Sequence, residues 1–73
     1  MSEREQMTLD MVKHLALLLM ERHPQWTMEK AIGTVLNSDT YQRLLRDSTG
    51  LYHQSPVYVY SFLENELLAG QVK

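Results

Sequence analysis

Gly50-Leu51-Tyr52-His53-Gln54-Ser55-Pro56-Val57-Tyr58-Val59-Tyr60 holds three of the chain's four tyrosines, and its last four residues alternate like an edge strand. The same stretch fits an aromatic platform for bases or the entrance to a helix. Ser55-Pro56 decides between these readings. Serine caps a helix N-terminus with its side-chain oxygen, and proline at the first helical position forfeits no hydrogen bond and already has a suitable φ. Beyond the pair, Val59, Tyr60, Leu63 and Leu67, with Val57 at the margin, fall on a helical stripe. Glu64 and Glu66 sit off that stripe, and Gly70 lies where a helix ends. Valine and tyrosine favour strands, yet the cap makes the V-Y-V-Y alternation the first turn of a helix over about 56–69. Gly50 to Gln54 is then an extended or turn-like connection, with Gly50 as a left-handed turn or C-cap.

Three further helices are expected upstream. Ser2-Glu3-Arg4-Glu5 matches a capping box, and Met7, Met11, Val12, Leu15, Ala16, Leu18, Leu19 and Met20 recur at threes and fours. Leu17 falls off this stripe, so the first helix, 3–23, is apolar on more than one side. Pro24 ends it near His23. Thr27 caps a second helix, 28–37, with Trp26 and Ala31 at the positions of a hydrophobic staple. This helix is expected to bury Met28, Ala31, Ile32, Val35 and Leu36, and Gly33 within it suggests close approach of another helix. Asn37-Ser38-Asp39 reads as a C-cap running into an N-cap. A short third helix, 39–46, then presents Tyr41, Leu44 and Leu45 on one edge before Asp47-Ser48-Thr49-Gly50 closes it. The expected fold class is all-α, a compact small bundle of three to four helices in a single domain, 1–73.

Composition narrows the functions. A chain of 73 residues buries only about 60–65% of its unfolded surface. With no cysteine, it has neither a disulfide nor a thiolate metal site to compensate. A small fold of this kind gains from a partner. The polar N-terminus lacks the pattern of a secretory signal, and the apolar run Leu15 to Met20 is far too short to span a bilayer. A cytoplasmic location without membrane insertion is expected. Net charge is −2, from nine acids and seven scattered bases. Without a basic cluster, nucleic-acid binding is disfavoured.

No catalytic, cofactor-binding or metal-ligating residues are expected. His14, His23 and His53 have no partner at ligand spacing, and Ser55 beside His53 lacks an orienting group and oxyanion donors, which leaves it a cap. With three glycines, the chain has no phosphate-cradling loop. Partner binding remains. Leu17, Trp26, Tyr52 and Tyr58 are the candidate contact residues, because surplus apolar area marks interfaces and aromatic side chains dominate their hot spots. Tyr52 as a base-stacking platform would need basic neighbours, and the nearest in sequence are Arg43 and Arg46.

Residues 31–44, AIGTVLNSDTYQRL, and 49–67, TGLYHQSPVYVYSFLENEL, resemble a group of small, uncharacterised all-helical bacterial proteins. Those proteins tend to be encoded beside toxin-like genes, including ADP-ribosyltransferase-like ones. The resemblance implies an antitoxin-like or accessory role and transfers no functional residue. The expected function is therefore a small protein-interaction module, self-associating through its first helix, that binds a protein partner such as a genomically adjacent toxin. The alternative is a dimeric helix-turn-helix regulator in which the second and third helices present Arg43 and Arg46.

Overall fold

A computed structural model describes residues 2–46, 48 and 50–71, with the Gln71 side chain excepted. The fold is all-α: α1 (Glu3–Arg22), α2 (Met28–Leu36), α3 (Asp39–Leu44) and α4 (Pro56–Gln71), with a 3₁₀ turn at Leu51–His53 before α4. No strand occurs among the described residues. The Tyr58 amide donates to Ser55 Oγ at 3.2 Å, so the stretch that alternates like a strand enters a helix through its cap.

The other caps follow the same chemistry. Ser2 Oγ accepts from the Glu5 amide at 3.1 Å and Thr27 Oγ1 from the Lys30 amide at 3.1 Å. Ser38 Oγ accepts from the Tyr41 amide at 3.0 Å while donating to the Val35 carbonyl at 2.6 Å. Ser38 thus joins the end of α2 to the start of α3 through one buried hydroxyl. Gly50 adopts φ 62, the left-handed conformation that glycine takes at least cost. The part of the expected α3 closure resting on Asp47 and Thr49 lies outside the described residues.

Met11, Val12, Leu15, Ala16 and Leu19 of α1 meet Ala31 and Val35 of α2, Leu44 of α3, Leu51, and Val59, Tyr60 and Leu63 of α4 in a single core cluster. α1, 20 residues long and hence about 30 Å, runs nearly the full 34 Å of the molecule. It packs against α2 and α4, while α3 closes onto α4. The apolar stripe of α1 is therefore buried within its own chain.

Several expectations need correcting. Leu36, expected in the core, is exposed, as are Leu45 and Val57. Val35 and Leu44, one position earlier, are fully buried, and Leu36 and Leu45 lie about 100° further round the helix, off the buried face. A Cβ built on Gly33 would meet nothing within 4 Å, so the glycine accommodates no neighbouring helix. α3 stops at Leu44 rather than 46. α4 continues through Gly70 to Gln71, because glycine without a left-handed φ does not end a helix; Gly50 is the only positive-φ residue among those described.

Candidate functional site

His23-Pro24-Gln25-Trp26 forms a tight turn closed by a 2.9 Å hydrogen bond from the Trp26 amide to the His23 carbonyl. Proline at its second position fixes the φ such a turn requires. The turn brings its two end residues side by side, and their rings stack with centroids 4.1 Å apart and planes 11° from parallel. The Lys30 ammonium lies 5.0 Å from the Trp26 ring centroid. Trp26, read as half of a staple, thus has His23 as its ring partner.

Facing this turn, α4 contributes Tyr60, Glu64, Leu67 and Leu68, spaced four, seven and eight residues along one helix face. Together with Arg22, His23 and Trp26 they line a groove of about 360 Å³. Its volume falls at the lower end of ligand-accepting pockets. Arg22 Nη1 and Glu64 Oε2 pair at 3.7 Å, largely exposed to solvent. Burial raises the Tyr60 pKa above the usual phenol value and the nearby Glu64 charge adds to this, partly offset by Arg22. Tyr60 is therefore a neutral hydrogen-bonding group in an apolar wall. The groove offers aromatic and aliphatic surface with charges at its rim, the arrangement that receives an anchoring side chain.

A smaller groove of about 210 Å³ lies among Met7, Asp10, Met11, His14, Tyr52 and Pro56. Tyr52 is half-buried; its ring meets His53 at 4.3 Å, and the Arg4 guanidinium lies 5.8 Å above it. Arg4 also donates to the Leu45 carbonyl. One arginine at the start of α1 therefore fastens both the end of α3 and the 3₁₀ turn, and Arg4, distant in sequence, is a cation beside Tyr52.

Tyr58 is half exposed on α4 and meets Phe62 edge-on, with centroids 5.2 Å apart and planes at 86°. Leu17 is exposed on the outer side of α1, two positions from both Leu15 and Leu19, which are fully buried. The four candidates are thus dispersed: Trp26 lines the larger groove, Tyr52 the smaller, and Leu17 and Tyr58 line neither. Of the groove wall on α4, Tyr60 and Leu67 belong to the stripe expected from the sequence, whereas Glu64, expected off that stripe, and Leu68 join them only in the fold. Among the described residues no group of three or more metal-ligating side chains occurs, and no helix is long and apolar enough to cross a membrane.

Glu66 is the residue sequence reasoning missed. Its carboxylate accepts from the Asp39 amide at 2.8 Å and from the Thr40 amide and hydroxyl at 2.9 Å each. Burial alone would raise its pKa, but these three hydrogen bonds and the Arg43 charge together hold it below the ordinary carboxylate value. A carboxylate on the first amides of a helix is where the helix dipole favours negative charge.

The class the fold and grooves define is a small all-α bundle with an aromatic-walled groove. A scan of protein-family models, a search of curated proteins and a search of solved structures each returned no match to the chain.

Proposed function

We propose that the protein is a protein-interaction module that receives an apolar or aromatic side chain of a protein partner in the groove between the His23–Trp26 turn and α4. The observation that carries this reading is the lining of that groove: Trp26, Tyr60, Leu67 and Leu68 around about 360 Å³, with the Arg22 and Glu64 charges paired at the rim. Buried aromatic anchors within a polar rim are the general anatomy of interface hot spots. Binding acts by occlusion. In its antitoxin-like form, the module covers the active cleft of a toxin encoded beside it.

The helix-turn-helix alternative finds less support. A recognition helix presents its N-terminal residues to base edges, whereas the N-terminus of the six-residue α3 is closed by the Glu66 carboxylate.

Coexpression with the products of adjacent genes, followed by light scattering on the eluted species, tests the proposal. The expected mass is that of a complex for the wild type, lost in Trp26→Ala. A chain that elutes without any neighbour's product overturns it.

A further inference from the structure

Hydrogen-bond donors outnumber their acceptors in the groove between the His23–Trp26 turn and α4. Arg22 meets Glu64 at 3.7 Å, beyond hydrogen-bond length. Among the described residues, none of the Arg22 guanidinium, the Tyr60 hydroxyl and the Trp26 indole N–H has an acceptor within the chain. Burial holds Tyr60 protonated, so its hydroxyl is a donor. Covering these groups with a purely apolar side chain would bury them unpaired, which is costly. An occupant of this groove therefore has to bring acceptor oxygens together with its apolar surface.

We infer that the groove takes the free C-terminus of the partner chain, ending in an aromatic or large aliphatic residue, with the terminal carboxylate on Arg22 and the Tyr60 hydroxyl. The inference rests on the reading of this groove as the partner-binding site. One terminal residue answers every wall. Its two carboxylate oxygens match the planar fork of an arginine. Its amide N–H is a donor for Glu64, which stands one helical turn from Tyr60 on the same face of α4. Its side chain packs against Trp26, Leu67 and Leu68, and all of these groups surround about 360 Å³. Other occupants answer fewer walls. An acidic side chain within a chain supplies the carboxylate but no apolar group of its own, so a second residue has to fill so small a groove. An apolar side chain within a chain fills it and leaves Arg22 unanswered.

Trp26 is the chain's single tryptophan, so its fluorescence reports on the groove directly. Four probes are titrated: the peptide Gly-Ser-Gly-Phe with a free C-terminus, the same peptide amidated, amidated Ser-Gly-Phe-Asp-Gly, and hydrocinnamate, which has the ring and carboxylate without the amide. Each is taken to about 10 mM, because ligands this small bind on the order of millimolar. The free-acid peptide is expected to shift the emission and to bind about fivefold more tightly than any of the other three. Arg22→Gln, a change at a side chain 67% exposed, is expected to bind acid and amide peptides alike. Tyr60→Phe is expected to reduce the advantage of the acid to about twofold.

Equal binding of acid and amide by the wild type overturns the inference and leaves the apolar groove standing. Tighter binding of the internal-acid peptide or of hydrocinnamate overturns it by assigning the carboxylate to another source, and so does an emission unmoved by the free acid. An Arg22→Gln chain that keeps the full preference overturns it as well. These titrations need no partner, so a chain that captures no neighbour's product fails the proposed function while the acid-over-amide ratio is read independently.

Discussion

Thr40 and Glu66, 26 positions apart in sequence, meet at one carboxylate oxygen: the Thr40 amide and hydroxyl both donate to Glu66 Oε1 at 2.9 Å. With the Asp39 amide on Oε2 at 2.8 Å, a single side chain of α4 supplies an N-terminal cap to α3 across a tertiary interface. α3 has six residues, too few to be stable alone, so this carboxylate and the Ser38 cap hold it.

Replacing Glu66 with glutamine keeps an acceptor but removes the charge, and is expected to cost about 1–2 kcal/mol at neutral pH. The Glu66 pKa is lowered in the folded chain. Its contribution is therefore complete above the unfolded glutamate pKa and is lost as pH falls through the lower folded value. Urea unfolding from pH 3 to 7 is expected to show the wild-type and Glu66→Gln stabilities furthest apart near neutrality and converging in acid.

Gly33→Ala is expected to stabilise the chain by about 0.5–1 kcal/mol, since alanine propagates a helix better than glycine and the added methyl has open space around it. Gly50→Ala has equal space but a φ of +62, and is expected to destabilise by about 1 kcal/mol. Urea midpoints moving in opposite directions for the two variants check both.

Arg4 donates to the Leu45 carbonyl and lies over the Tyr52 ring, roles that depend on a planar fork. Arg4→Lys is therefore not conservative, and a loss of about 1 kcal/mol is expected. Amide exchange is expected to quicken at the end of α3 and in the 3₁₀ turn, while the core amides of α1 are slowed as before relative to free peptide.

Leu17→Ser and Tyr58→Ser are expected to leave the thermal midpoint nearly unchanged, within about 0.5 kcal/mol, as substitutions outside the core usually do. Leu15→Ala removes a fully buried side chain and is expected to cost about 3 kcal/mol, enough to unfold a marginal chain of this size at room temperature. Circular-dichroism melts of the three variants separate these cases.

The helix starts were legible because caps act over three or four residues. Ser55-Pro56, Thr27, Ser38 and Gly50 each impose a local conformation whatever surrounds them, and the all-α fold followed. The buried stripe of α1 was legible for a related reason: helical periodicity fixes which residues share a face. Its outer leucine, Leu17, could be named from the same wheel.

What tertiary structure alone decided were the meetings between distant residues. Glu66 reads as a solvent-facing acid until α3 is set against its carboxylate, and Glu64 until Arg22 comes across from α1. Leu36 reads as core until Val35, one position earlier, is seen to take the buried face at the end of α2. The groove exists only because the turn at Pro24 swings Trp26 opposite Tyr60. Local chemistry determines where each helix begins; where α3 and α4 stop, and which side chains then face one another, depends on how four helices share one small core, and no short window of sequence contains that packing.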